Sequence, residues 1–367
     1  MTCEDLALGF VPQLGVRGIA HLIEIYGSGE AIYRATAEEL IARAQLRPDI
    51  ARSIASKVGL TEAEREMEYC SRNKIDITAA TDSLYPAPLY EISDRPHILY
   101  SMGDLGVLNS KHILSVVGTR RITTYGSKTC LHLITDLAQM FPDLVVVSGL
   151  AYGTDSHAHR AALAAKVPTV GVIANSLPHI TPSEHTALAK DMIESGGAVI
   201  SELHSQTKQN GNLYIPRNRI VAGLAEGLLV VESAANGGSL STTKAADSYG
   251  RTIMAVPGRI GDAMSVDTNH LIKSNLAQMV TSAEDIAAAL GWQREESISQ
   301  HLYYQPREVS PRDAAILSCF ADENTTISLD DIADKVGIST AEASAILLDM
   351  ELSGLVRQLP GKFYQKY

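Results

Sequence analysis

Between about residues 70 and 290, six short runs are apolar at almost every position: 113–117 ILSVV, 145–148 VVVS, 169–174 TVGVIA, 198–201 AVIS, 228–231 LLVV and 252–256 TIMAV. A strand with one wet face alternates apolar and polar residues. A run without alternation must be covered on both faces. The stretches between the runs carry helical spacing, so the pattern predicts a parallel sheet sandwiched by helices, a doubly wound α/β domain. Ligands of such sheets bind beyond the carboxyl ends of the strands. The loops that start at Gly118, Gly149, Asn175, Glu202, Glu232 and Pro257 are therefore expected to share one rim.

A chain of 367 residues exceeds one ordinary domain, and its flanks read differently from its middle. Residues 1–70 have helical spacing, a tight turn at "LGVRGIA" (14–20) and a second candidate turn near Pro48. Such a segment suits a SAM or helix-hairpin-helix unit whose turn offers N–H groups to a phosphate. A small helical domain with a merely structural turn fits equally. Residues 71–291 hold the α/β domain, 292–309 are polar and read as a linker, and 310–367 show the helix, turn, helix and hairpin of a winged helix. The helix that would read bases, between Thr340 and Ser353, carries Glu342, Asp349 and Glu351 and neither Lys nor Arg. Phosphates would repel it, so this module is expected to contact protein or to regulate.

Composition narrows the functional classes. With 45% apolar and 20% charged residues, a large core is available. The four cysteines lie far apart without a Cys-x-x-Cys, which fits a reducing compartment and predicts neither zinc nor a disulfide frame. The acidic start "MTCEDLALGF" lacks the positive region of a signal peptide, and no apolar run is long enough to cross a bilayer. A cytoplasmic protein without membrane contact is expected. The formal net charge of −11 argues against a general nucleic-acid coat. The signs are segregated, however. No acid lies between Asp104 and Asp136, where Lys111, Arg120, Arg121 and Lys128 occur, or between Glu202 and Glu226, where Lys208, Arg217 and Arg219 occur.

Four rim loops carry the candidate chemistry. "SVVGTRRITTYG" (115–126) is strand, Gly, then helix, without Gly-x-Gly-x-x-Gly and without an acid after the second strand, so a dinucleotide is poorly supported. Arg120 suits a phosphate fork. "SGLAYGTDSHAHRAAL" (148–163) holds Asp155, His157 and His159. Histidines two apart on a helix face different ways and do not share a metal, and Asp155 stands where an N-cap belongs. Gly149 and Gly153 permit close backbone approach. In "KQNGNLYIPRNRIVAGLAEG" (208–227), Tyr214 offers a ring face beside Arg217, Asn218 and Arg219, the combination that single-stranded nucleic acid uses. One of these arginines is expected to pair internally with Glu202 or Glu232. Last, "GLLVVESAANGGSLSTTKAA" (227–246) ends a strand in Glu232 and enters a helix through Gly237, Gly238 and Ser239, with Lys244 following. Its N–H and O–H groups can hold a phosphate.

Together these loops resemble the DNA-processing protein A (DprA, or Smf) family. Ordered blocks carry the likeness, from "LYPAPLYEISDRPHILYSMGDL" through "VVGTRRITTYG", "VVSGLAYGTDSHAHRAAL", "VISELHS" and "YIPRNRIVAGLAEGLLVVESAANGGSL" to "AVPGRIGD…TNHLIKSNLAQMV". The resemblance implies an extended Rossmann-like domain that forms homodimers, binds single-stranded DNA without chemistry and loads the recombinase RecA in natural transformation. It places Arg120 at the family's Gly-Ser-Arg arginine and Tyr214 at an aromatic position that is usually Phe. The family lysine three residues earlier is Gly211 here, so Lys208 stands as its substitute. The DNA-binding set expected is thus Arg120, Gly149, Lys208, Tyr214, Arg217, Asn218, Arg219, Gly238, Ser239 and Lys244, with no catalytic residue, cofactor or metal.

Two rivals remain. Lysine-decarboxylase-like nucleotide hydrolases share the fold class and use a Gly-Gly-x-Gly-Thr-x-x-Glu loop. Here "GGSLSTTK" puts Lys244 where the carboxylate falls, and an ammonium does no general-base or oxocarbenium-stabilising work. A transcription regulator would need the basic recognition helix that this chain lacks.

Overall fold

The structure is a computed structural model, and it describes residues 1–208, 210–293, 310–320, 325–353, 355–359 and 361–366. Within Met1–Gln293, one compact unit, nine strands form a single sheet. They are β1 (Asp76–Ala79), β2 (Ile98–Gly103), β3 (Ile113–Val117), β4 (Val145–Ser148), β5 (Thr169–Val172), β6 (Ala198–Ser201), β7 (Gly227–Val230), β8 (Thr252–Ala255) and β9 (Gln278–Met279). Their order across the sheet is β1-β2-β6-β5-β4-β3-β7-β8-β9, and every pairing from β6 to β9 is parallel.

The apolar runs become strands because both faces are covered. In β3, Ile113 and Val117 enter one core, while Leu114 and Val116 enter the opposite one. The second core holds residues of the Thr124–Met140, Thr154–Ala164 and Ala283–Leu290 helices, and the first those of Tyr214–Gly223, Ser239–Ser248 and Val266–Lys273. The antiparallel strands β1 and β2 extend one edge beyond the six runs, pairing β2 with β6.

The N-terminal segment is helical from Cys3 to Arg72, and its core is continuous with that sheet edge. Leu6, Leu22, Ile32 and Ile54 share a cluster with Ile98, Tyr100 and Val199. The turn expected at "LGVRGIA" falls earlier. Pro12 and Gln13, the latter at φ 63, turn the chain, and the Val16–Tyr26 helix already starts with Gly15 as its N-cap. Proline offers no N–H and Gln13 sits in the left-handed region, so the break belongs there. Pro48 opens the Pro48–Ala55 helix at its first position, which its fixed φ favours.

The second unit, Arg294–Tyr367, is a winged helix. The helices Pro311–Leu317, Leu329–Val336 and Thr340–Leu352 pack with β10 (Thr326–Ser328), β11 (Val356–Leu359) and β12 (Phe363–Lys366), in sheet order β10-β12-β11. Ile316, Ile332, Leu347 and Val356 are buried together. Most of the expected linker, 294–309, lies outside the described residues. Trp292 packs edge-on against Phe141 with ring centres 5.4 Å apart.

Candidate nucleic-acid interface

From β3 the chain builds outward through β4, β5 and β6, then returns to lay β7 on β3's other side. The loops after β3 and β7 therefore diverge and leave a crevice at the carboxyl ends, the switch point where doubly wound sheets take ligands. A cleft of about 760 Å³ opens there, lined by the loops after β3, β4 and β7 and by the first turn of the Tyr214–Gly223 helix. The loops after β5 and β8 do not contribute to this lining. The Asn175 loop is tied down instead: Asn175 donates to the carbonyl of Ser176 at 3.1 Å and to that of His179.

Gly118 ends β3 because nothing larger fits. A Cβ there would meet Thr154 Oγ1 at 2.4 Å and the Glu232 carbonyl at 2.7 Å. The Thr119 N–H donates to that carbonyl at 2.7 Å, and the chain emerges with Arg120 exposed. The Arg120 guanidinium stands 5.2 Å over the ring of Tyr214, within cation–π range. Glu232 is spent on the next helix. Thr123 gives it an N–H at 2.8 Å and a hydroxyl at 2.6 Å, which places a carboxylate at a positive helix end.

After β4, Gly149 is pressed by two opposite charges. A Cβ on it would lie 2.1 Å from Arg217 Nη1 and 2.5 Å from Asp155 Oδ2. Asp155 is not the N-cap expected of it. Gly153, at φ +76, takes that position, and Asp155 follows as the second residue of the helix, accepting from the Ala151 N–H at 3.2 Å. Burial pushes the Asp155 carboxyl up and the Arg217 guanidinium down from their ordinary values, and each partner's charge opposes the other's shift. His157 bonds the Gly153 carbonyl at 2.9 Å while His159 bonds Thr169 Oγ1 at 2.7 Å, so the two rings diverge.

The expected arginine pair turns inward. Arg217 is 5% exposed, and its Nη1 donates to the Val172 carbonyl at 2.5 Å. Arg219 is bonded to Glu202, lies 3.9 Å from Asp94 and is absent from the cleft lining. Neither stands as an exposed phosphate partner: Arg217 lines the cleft but is buried and bonded to the Val172 carbonyl, and Arg219 is held by Glu202. Asn218 does reach the cleft and donates to Ser241 Oγ at 2.7 Å. Lys208 and Lys244 are exposed but stand outside the lining. Gly238 and Ser239 line it, although Ser239 is only 6% exposed.

Asp267 was missed from sequence. It accepts from Ser233 Oγ at 3.1 Å and from the Gly237 N–H at 3.0 Å, and Ser239 donates onward to Ser233 at 2.8 Å. This carboxylate sets the Ser239 loop from 30 residues away, and "SVDTNHLI" carries no local sign of it.

These features define a doubly wound α/β protein with a glycine-walled cleft at its switch point and an exposed arginine over a tyrosine in the lining. Residues 76–291 match the family model of DNA recombination-mediator protein A, and residues 304–362 match the DprA winged helix domain. The chain belongs to the DNA recombination-mediator protein A family. It is 34% identical to Protein Smf of Escherichia coli K12 over 288 residues, spanning 77% of this chain and 75% of that one. To the DNA processing protein DprA of Bacillus subtilis it is 38% identical over 202 residues, covering 55% and 67%. The crystal structure of DNA processing protein A from Streptococcus pneumoniae aligns at TM-score 0.67 and 30% identity, covering 78% of this chain and 98% of that one. A structure of the Helicobacter pylori protein, described for its single-stranded DNA binding mode, aligns at TM-score 0.53 and 25% identity over 60% of this chain and 97% of its own.

Proposed function

We propose that the chain is a single-stranded DNA-binding recombination mediator that grips DNA at the switch-point cleft and hands it to RecA, in natural transformation or homologous recombination. The observation that carries this reading is Arg120, exposed at the cleft mouth with its guanidinium over Tyr214. The arginine meets a backbone phosphate, the ring takes a base, and Gly149 and Gly238 let the strand come close. Lys208 and Lys244 extend the positive track outside the lining. A homodimer would present two clefts to one strand and raise affinity by avidity.

The reading supposes no chemistry. The carboxylates bordering the cleft are committed, Asp155 opposite Arg217 and Asp267 beneath the Ser239 loop, and Lys244 replaces the acid a nucleotide hydrolase would use. Among the described residues no helix is long and apolar enough to cross a membrane.

The test is fluorescence anisotropy of a labelled deoxythymidine oligonucleotide against wild type and Arg120→Glu, with duplex as competitor. A second arm follows RecA assembly on the bound strand. Single-strand-selective binding that Arg120→Glu abolishes in a folded protein is expected. Binding indifferent to Arg120, or release of a free base from nucleoside monophosphates, would overturn the reading in favour of the nucleotide-hydrolysing enzyme.

A further inference from the structure

The segment that leads from β6 to Tyr214 is held from outside the cleft. Glu66 lies on the Leu60–Arg72 helix of the N-terminal segment and is 1% exposed. Its Oε1 accepts the Ser205 N–H at 2.8 Å, and its Oε2 accepts the Ser205 hydroxyl at 2.5 Å. The Cys70 thiol adds a contact to Oε1 at 3.8 Å. A carboxylate withdrawn from water is costly unless hydrogen bonds satisfy it. Here a backbone amide and a hydroxyl on one residue of another element do so, and such charge-assisted bonds are the strong kind.

The neighbouring contacts make the same junction. The His204 ring sits 4.6 Å from that of Phe10, and Tyr69 donates its hydroxyl to the Leu177 carbonyl at 3.1 Å. On the cleft side Glu202 is bonded to Arg219 of the Tyr214–Gly223 helix. The chain is thus clamped at Glu202 by the cleft helix and at Ser205 by the helical segment. Lys208 and Tyr214 follow within nine residues of Ser205. Tyr214 is fixed by the helix it opens, and without the Ser205 tie the stretch leading to that helix, which carries Lys208, would sample more positions, an ordering cost that a bound strand would meet.

We propose that Glu66, through Ser205, is a positioning residue for the DNA-gripping loop, and that the N-terminal helical segment sets the placement of Lys208 and of the approach to Tyr214 without touching DNA itself. The inference rests on the single-stranded DNA reading above. It gives the helical segment a role that does not require its own turns to bind phosphate.

The test uses the full chain with Glu66→Ala, Glu66→Gln, Ser205→Ala and the Glu66→Ala/Ser205→Ala pair. Three quantities are followed: affinity for a deoxythymidine oligonucleotide, thermal midpoint, and hydrogen exchange of the peptide around 203–213. Glu66→Ala is expected to lose affinity by about tenfold, the low end of what one hydrogen bond to a charged group is worth. It should also speed exchange at Ser205. Glu66→Gln, which keeps an acceptor oxygen for the amide, should recover most of both, and the paired substitution should add little to Glu66→Ala. The proposal is overturned if Glu66→Ala binds and exchanges like wild type, or if affinity across the series merely follows the thermal midpoint. Arg120→Glu separates the two readings, since it should abolish binding with exchange at 203–213 unchanged. A wild type that binds no single strand would sink the DNA reading, and the exchange arm would still decide whether Glu66 fixes the loop.

Discussion

Replacing Arg217 with methionine would show whether this arginine holds the fold or the DNA. The side chain is 5% exposed, its Nη1 is bonded to the Val172 carbonyl at 2.5 Å, and it faces Asp155 across Gly149. Asp155 is itself 9% exposed, and in the variant its buried carboxyl would lose the nearer of the two arginine charges that favour its ionised form, with Arg120 the one left. Breaking one side of a buried ion pair costs about 3–5 kcal/mol, and these two groups, which share no direct hydrogen bond, should fall at or below the low end of that range. Against a total stability of roughly 5–15 kcal/mol, that loss would be plain in urea unfolding. Asp155→Asn/Arg217→Met removes both charges at similar volume, so it should be more stable than Arg217→Met by about 0.5–3 kcal/mol, the usual range for coupled neighbours. Because the doubly substituted protein keeps Arg120 and Tyr214, it should still bind a deoxythymidine oligonucleotide. The opposite result would refute the reasoning: Arg217→Met with an unchanged urea midpoint and no affinity for DNA would make Arg217 a phosphate ligand.

Three further outcomes are expected. Arg120→Ala should flatten the dependence of log K on log salt by about 0.7 if one phosphate contact is lost, and a slope identical to wild type would exclude that contact. Tyr214→Ala should weaken single-strand binding by about 1–3 kcal/mol while Tyr214→Phe keeps it, since stacking uses the ring and not the hydroxyl; equal losses in both variants would point to the hydroxyl. Burial holds the His159 imidazole at about 3, below its ordinary 6.5. The unfolded chain therefore takes up a proton that the folded one refuses, and the stability present above pH 6.5 falls as the pH drops towards 3, by at most about 1.4 kcal/mol per unit. Urea midpoints measured from pH 7 to 5 should fall less steeply in His159→Gln, and parallel curves would remove His159 as the cause.

The sheet was legible because its strands are unusually one-sided in composition. Runs such as "ILSVV" have no wet face, and the two cores that receive Ile113 and Leu114 show why. The edge strands β1 and β2 escaped because each carries polar positions among the apolar ones, and nothing local says that β2 pairs with β6. A parallel sheet alone put all six loops on one rim, while the strand order that selects the loops after β3, β4 and β7 for the cleft came only with the folded chain. Which arginines stay exposed could not. Arg120, Arg217 and Arg219 are alike as letters, and their separation depends on Asp155 and Glu202, whose approach only the folded chain supplies. Asp267 and Glu66 were invisible for the same reason: each acts across more than twenty residues of sequence on a loop it does not belong to.

That division fits a rim proposed to grip a strand without cutting it. Cleavage of a nucleotide needs a carboxylate or base free to move a proton at the reacting atom. Asp155 is the acid in the cleft lining, and the acids behind it are consumed in building the surrounding loops. Glu232 caps the Thr124–Met140 helix, Asp155 opposes Arg217, Asp267 fixes the Ser239 loop and Glu202 holds Arg219. Each tie engages a carboxylate that could otherwise have acted as a base. Arg120 is the lining cation left facing solvent, on a backbone that the Glu232 carbonyl and Thr154 hold still. In the proposed reading this arginine above a tyrosine, with the neighbouring acids already engaged, would hold a bound strand and leave its bonds alone.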